Sequence, residues 1–141
     1  MRTSWVPAVL ALIVAACVPG RPAPPPEQWI VLREGAGQRA SVNALGIRIE
    51  ANGIRTATVA VDYTSVQEEQ GEEYKIRYDR ELMEVQFDCR RQSVRNPGGS
   101  HYLAGQLASA WNEGPEPLPW EKVVPGTFLA DALTHVCQAS A

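Results

Sequence analysis

The chain is short of most residue patterns that carry chemistry. In 141 residues it has two histidines, His101 and His135, and three cysteines, Cys17, Cys89 and Cys137. Neither histidine has companion ligands at the fixed spacings of a metal site, so no metal is expected. A Cys-x-x-Cys pair is absent, which removes the common redox motif. Also absent are the Gly-x-Ser-x-Gly nucleophile elbow and a glycine-rich phosphate loop. The glycines at 35, 37, 98 and 99 do not sit between a strand and a helix and read as turns. Basic charge is scarce as well: 13 Lys and Arg stand against 16 Asp and Glu, a net charge of −3, which argues against a nucleic-acid partner. Asp79, Glu81 and Glu84 are close enough in sequence to mimic the paired carboxylates of a glycosidase. On an alternating strand they are instead expected to form a solvated face. The chain therefore reads as a non-enzymatic protein with no cofactor.

Long apolar runs are also lacking, with one short exception at the start. Trp5 to Val14 is apolar apart from Pro7 and follows the charged opening Met1-Arg2. A membrane-spanning helix needs roughly 18 or more apolar residues, so this run is too short to span. A charged start, a short apolar stretch and small residues ahead of a cut are the layout of a secretory signal. The run ends in Val14-Ala15-Ala16-Cys17, and small residues directly before a cysteine resemble the bacterial lipoprotein lipobox. The resemblance implies a signal peptide over residues 1–16, cleavage before Cys17, and a diacylglycerol on its thiol. Each buried methylene contributes about 0.8 kcal/mol, so several acyl chains hold a protein where one does not. Val18 follows the cysteine in place of the aspartate that retains familiar lipoproteins in the inner membrane, which favours the outer membrane by analogy.

If Cys17 carries lipid, two cysteines remain, an even number in an oxidising compartment. Cys89 and Cys137 are then expected to form a disulfide; two buried thiols are the alternative. Residues 17–28 comprise the lipidated cysteine and a proline-rich tether, Val18-Pro19-Gly20-Arg21-Pro22-Ala23-Pro24-Pro25-Pro26-Glu27-Gln28. Such a segment favours extended polyproline geometry, about 3 Å per residue. The remainder, 29–141, is long enough for one domain and too short for two.

Within that domain the signals are mostly strand. Trp29-Ile30-Val31-Leu32 is an apolar run broken by Gly35 and Gly37, and Arg39 to Asn43 is a second candidate. Asn52-Gly53 signals a hairpin-type turn. Ile54 to Thr64 alternates, with Ala57, Val59, Val61 and Tyr63 on one face and Thr56, Thr58 and Asp62 on the other. Gln67 to Glu73 reads as a charged loop whose default role is a solvated hairpin tip. Alternation resumes at Tyr74, Ile76 and Tyr78, and Met83, Val85, Phe87 and Cys89 then share one face. Ser93 to Arg95, the Asn96-Pro97-Gly98-Gly99 turn and Ser100 to Leu103 read as a hairpin. Trp29, Trp111 and Trp120 are expected to be core or edge-covering aromatics. After Pro125-Gly126, Thr127 is a plausible helix cap. Leu129, Leu133, Val136 and Cys137 follow at i, i+4, i+7 and i+8, one face of a helix. The fold class is α+β: a small antiparallel β-sheet with one C-terminal helix packed on it.

Taken in order, several of these stretches resemble the surface-adhesin protein E-like family of bacterial lipoproteins. They are Trp29-Ile30-Val31-Leu32, Ser41-Val42-Asn43-Ala44-Leu45-Gly46-Ile47-Arg48, Asp62-Tyr63 and Val85-Gln86-Phe87-Asp88-Cys89, closing with Trp120, Pro125-Gly126-Thr127 and His135-Val136-Cys137. The likeness covers nearly all of residues 29–138 and rests on the order of the pieces. It implies the same sheet-and-helix fold, a disulfide falling on Cys89 and Cys137, and an outer-membrane lipoprotein. It also implies an adhesin that captures host proteins and can form a homo-oligomer.

One exposed cluster stands out as a partner-binding candidate: Arg90, Arg91 and Arg95 with Tyr102, beside the turn at Pro97. Arginine and tyrosine are favoured at interfaces, and an extracellular protein or acidic polysaccharide is the expected partner. The leading reading is an exported, lipid-anchored adhesin at the cell surface. The rival is a periplasm-facing accessory or scaffold lipoprotein of the envelope. The lipid reading predicts that Cys17→Ser shifts the protein from the membrane fraction to the soluble one. Unchanged membrane association after fractionation would contradict it.

Overall fold

The computed structural model describes residues 26–114, 116 and 118–140. The signal segment 1–16, Cys17 and the tether through residue 25 lie outside the described residues. Among the described residues eight strands form one sheet: β1 (Trp29–Gly35), β2 (Gln38–Asn43), β3 (Arg48–Ile49), β4 (Ile54–Gln70), β5 (Lys75–Asp88), β6 (Ser93–Leu103), β7 (Gln106–Asn112) and β8 (Glu121–Lys122). The main order is β1-β2-β4-β5-β6-β7, with β3 paired to β4 and β8 to β6. Every pairing is antiparallel. Tight turns fall where the sequence tolerates positive φ: Ala36-Gly37 at 51° and 77°, Asn52-Gly53 at 64° and 76°, and Ala104-Gly105 at 49° and 77°. Two successive residues of this hand give the primed turns that match strand twist.

The period-two reading of β4 and β5 holds. Ala57, Val59 and Val61 meet Met83, Val85 and Phe87 on one buried face, joined by Ala40, Val42 and Val94. The cover is α1 (Phe128–Gln138), which contributes Ala132, Leu133 and Val136. Thr127 caps it, its side chain accepting the Ala130 N–H at 3.3 Å. Three ties fix the helix to the sheet. Cys137 is bonded to Cys89 at the end of β5, with Cα atoms 5.7 Å apart. Arg55 donates to the carbonyl of Val136 at 2.7 Å and to that of Ala139, answering acceptors that a helix end leaves open. At the other end Arg33 pairs with Asp131 at 2.9 Å.

Two segments differ from their sequence reading. The expected charged loop from Gln67 to Glu73 is largely strand: β4 runs to Gln70, and the turn is closed by the Gly71 N–H to the Tyr74 carbonyl at 3.0 Å. Cross-strand charge explains the extension, since Glu68 meets Lys75 at 2.9 Å and Arg77 at 3.3 Å. The expected hairpin over residues 93–103 is one continuous strand, β6. Asn96-Pro97 forms a bulge in it, two residues facing Val85 alone between the Glu84–Gly98 and Gln86–Arg95 pairs. A bulge is where a strand can hold a proline without losing a ladder bond. The glycines serve close approach: a Cβ on Gly99 would overlap the Leu82 carbonyl oxygen and the Trp111 ring.

The Cys89–Cys137 bond closes a loop with a sequence separation of 48 and limits the unfolded chain accordingly. Cys137→Ser is expected to lower the thermal midpoint under oxidising conditions by about 10 °C or more. Calorimetry showing an unchanged midpoint would mean that the bond contributes nothing to stability.

Candidate interaction site on the open sheet face

The turn joining β5 to β6 is built by its own sequence. The Asp88 carboxylate is buried and accepts the backbone N–H groups of Arg90 at 3.0 Å and Arg91 at 2.9 Å. Aspartate does this readily in tight turns. Gln92 then takes a φ of 52°, and Ser93 donates its hydroxyl to the Arg91 carbonyl at 3.2 Å. The result projects two guanidinium groups from a fixed corner, with the Arg91 side chain 74% exposed. Arg95 lies on β6 opposite Gln86, donates to its side-chain oxygen, and holds its guanidinium 4.5 Å over the Trp120 ring. That is cation–π distance.

These groups surround an open depression of about 440 Å³, with Asn52, Ile54 and Asp88 forming the rest of its wall. Gln86 and Asp88 alternate with the core residues Val85 and Phe87, so the depression opens on the face away from α1. Three guanidiniums face one carboxylate, Asp88, whose Oδ1 takes both backbone N–H groups and whose Oδ2 lies 3.9 Å from Arg91 Nε. The arrangement suits carboxylate, sulfate or phosphate oxygens, which arginine binds with paired N–H groups.

Arg90, Arg91 and Arg95 are thus brought together as the sequence suggested. Tyr102 is not with them. It pairs with Arg80 and lines a separate hollow with Asp62 and Asp79. The reason is the missing hairpin: along an extended β6, seven residues separate Arg95 from Tyr102 by roughly 23 Å. The aromatic partner of the arginines is Trp120, delivered by the segment before β8.

A second cluster was not read from the sequence at all. Glu81 was expected on a solvated face, yet it is in phase with Met83 and points to the core side of β5. Its carboxylate accepts the Tyr63 hydroxyl at 3.4 Å and lies 3.8 Å from Nε2 of His101. His101, 5% exposed, bonds Ser109 Oγ through Nδ1 at 2.9 Å. Its ring stacks on Tyr78 at 4.0 Å and meets Trp111 at 4.7 Å, while Tyr63 sits edge-on to Tyr78 at 5.8 Å. Burial pushes the Glu81 carboxyl above the usual range, against the opposing pull of His101 and Tyr63. Burial, reinforced by Glu81, pushes Tyr63 up to about 12. The phase of Glu81 with Met83, Val85 and Phe87 would have found it; nothing local marked His101 as buried. Among the described residues no three His, Cys, Asp or Glu side chains converge to hold a metal ion. Nor is any helix among them long and apolar enough to cross a membrane.

Known proteins share this architecture. The family model described as surface-adhesin protein E matches residues 29–138. The crystal form II structure of Haemophilus influenzae protein E has the same fold, with a TM-score of 0.55 at 15% identity, over 81% of this chain and 93% of that one. No curated protein sequence matches the chain. The family match runs from the first residue of β1 to the last of α1, and the chain belongs to the surface-adhesin protein E family.

Proposed function

We propose that the protein is a non-enzymatic, adhesin-like lipoprotein of the outer membrane that binds acidic macromolecules through the Arg90, Arg91 and Arg95 depression. Family membership supports the adhesin class. The observation that carries the ligand chemistry is the convergence of three guanidiniums and Trp120 on one depression that holds a single carboxylate, Asp88, which can offset only one of the three charges. A lipid on Cys17 supplies the anchor in this reading. The proline-rich tether then holds the sheet off the bilayer by about 3 Å per residue.

Sulfated or carboxylated polysaccharide is the simplest ligand for such a surface. Both Arg90 and Arg91 are exposed, so their removal leaves the core untouched. The double variant Arg90→Ala/Arg91→Ala is expected to weaken binding to immobilised heparin by about tenfold or more, since charge-assisted bonds contribute about 1.5–3 kcal/mol each. It should also flatten the salt dependence while keeping the wild-type melting temperature. Equal affinity of both proteins for heparin, or wild-type binding as tight to neutral dextran as to heparin, would refute the reading.

A further inference from the structure

The far end of the core face, beyond α1, holds a second depression of about 450 Å³. Its chemistry is the inverse of the arginine site. Three carboxylates line it, Glu69, Glu81 and Glu113, with Tyr74, His101 and Trp111 as walls and no lysine or arginine among the lining residues. Alternation in the outer part of the hairpin, beyond the register shift between Asp62 and Gln67, sorts the residues there. Lys75, Arg77 and Glu68 share the opposite face of the β4–β5 ladder, where they pair with one another. Glu69 lies across from Ile76, on the face of Tyr74 and Tyr78, and accepts the Tyr74 hydroxyl at 3.2 Å. Among the described residues no lysine or arginine pairs with Glu69, Glu81 or Glu113. A row of π-faces leading to carboxylates is the surface that attracts an organic cation.

The strand beside this depression is β7, the last in the sheet order. Ser109 and Trp111 of β7 line the depression directly. Exposed edges are ordinarily blunted by charges, prolines or irregular pairing. The opposite edge, β1, follows that rule with Arg33, Glu34 and a register shift between Val31 and Arg33. β7 has one such irregularity, Ala108 being extra between the Tyr102–Leu107 and His101–Ser109 pairs, but Gln106-Leu107-Ala108-Ser109-Ala110-Trp111-Asn112 carries no charge and no proline, and Leu107 is 62% exposed. An extended chain added along β7 would direct alternate side chains onto the face that holds Ser109 and Trp111. A second copy of β7 brings no cation to that place, because the strand has none.

We infer that the open edge of β7 accepts an extended basic polypeptide segment, with a lysine or arginine side chain seated among Glu69, Glu81, Glu113 and the Tyr74–His101–Trp111 walls. The probe is a ten-residue alternating Thr-Lys peptide, with a Thr-Gln peptide, an N-methylated Thr-Lys peptide and Nα-acetyl-lysine amide as controls, read by isothermal titration calorimetry on the folded protein. The Thr-Lys peptide should bind about tenfold or more tighter than the Thr-Gln peptide, and Glu69→Gln/Glu113→Gln, which alters only rim positions, should remove that difference. Backbone methylation should abolish binding. Equal binding of both peptides, an unaffected Glu69→Gln/Glu113→Gln variant, or retained binding of the methylated peptide would overturn the inference. So would lysine amide binding as tightly as the peptide, or self-association through β7 in sedimentation runs that excludes the peptide. Because no probe here is anionic, failure leaves the anionic-ligand reading of the arginine site untouched.

Discussion

One short helix has to cover a sheet that outruns it. α1 has 11 residues, roughly 16 Å of cylinder, whereas β4 has 17 residues and extends roughly 55 Å. The Cys89–Cys137 bond decides where the cover goes, pinning the helix C-terminus to the end of β5. Arg55 and Arg33 complete the placement at its two ends. Apolar residues fill the sheet beneath the helix. Past its reach the same face turns to tyrosine, histidine, tryptophan and a half-buried glutamate, side chains that bury area yet keep polar contacts to the solvent side. The aromatic depression is therefore a consequence of a cover shorter than the sheet it protects.

The same constraint separates the two surfaces. Under the helix the sheet must be apolar, so the charged members of β5 and β6 are driven to the opposite face, where Arg95, Gln86 and Trp120 meet the Arg90-Arg91 corner. At the other end, beyond the register shift between Asp62 and Gln67, alternation puts the cations Lys75 and Arg77 behind the ladder and Glu69 with the aromatics in front. A basic site and an acidic site thus sit on opposite faces and toward opposite ends of one sheet.

Much of this was legible in the sequence because it is local. Period-two alternation fixed the buried faces of β4 and β5, and the i, i+4, i+7, i+8 spacing after Thr127 gave the inner face of α1. The arginine corner was legible for the same reason, since Arg90 and Arg91 belong to one tight turn. Misreadings arose where distant strands decide. Asn96-Pro97-Gly98-Gly99 has the composition of a turn, but its glycines answer to Trp111 on the next strand and its proline to a bulge. Tyr102 was grouped with the arginines only through that false turn. Glutamates near 70 read as a loop, although strand pairing with Lys75 and Arg77 carries the ladder outward. His101 on β6 is buried by residues of both neighbouring strands, Tyr78 and Glu81 of β5 and Ser109 and Trp111 of β7, a meeting that no short window contains.

The central claim is that this sheet meets macromolecules outside the cell. Protease shaving of intact cells expressing the full chain, with lysed cells as the control, tests it most directly. The account predicts that the domain is digested while the cells remain whole. Protection until lysis would place the domain inside the envelope and contradict the adhesin reading.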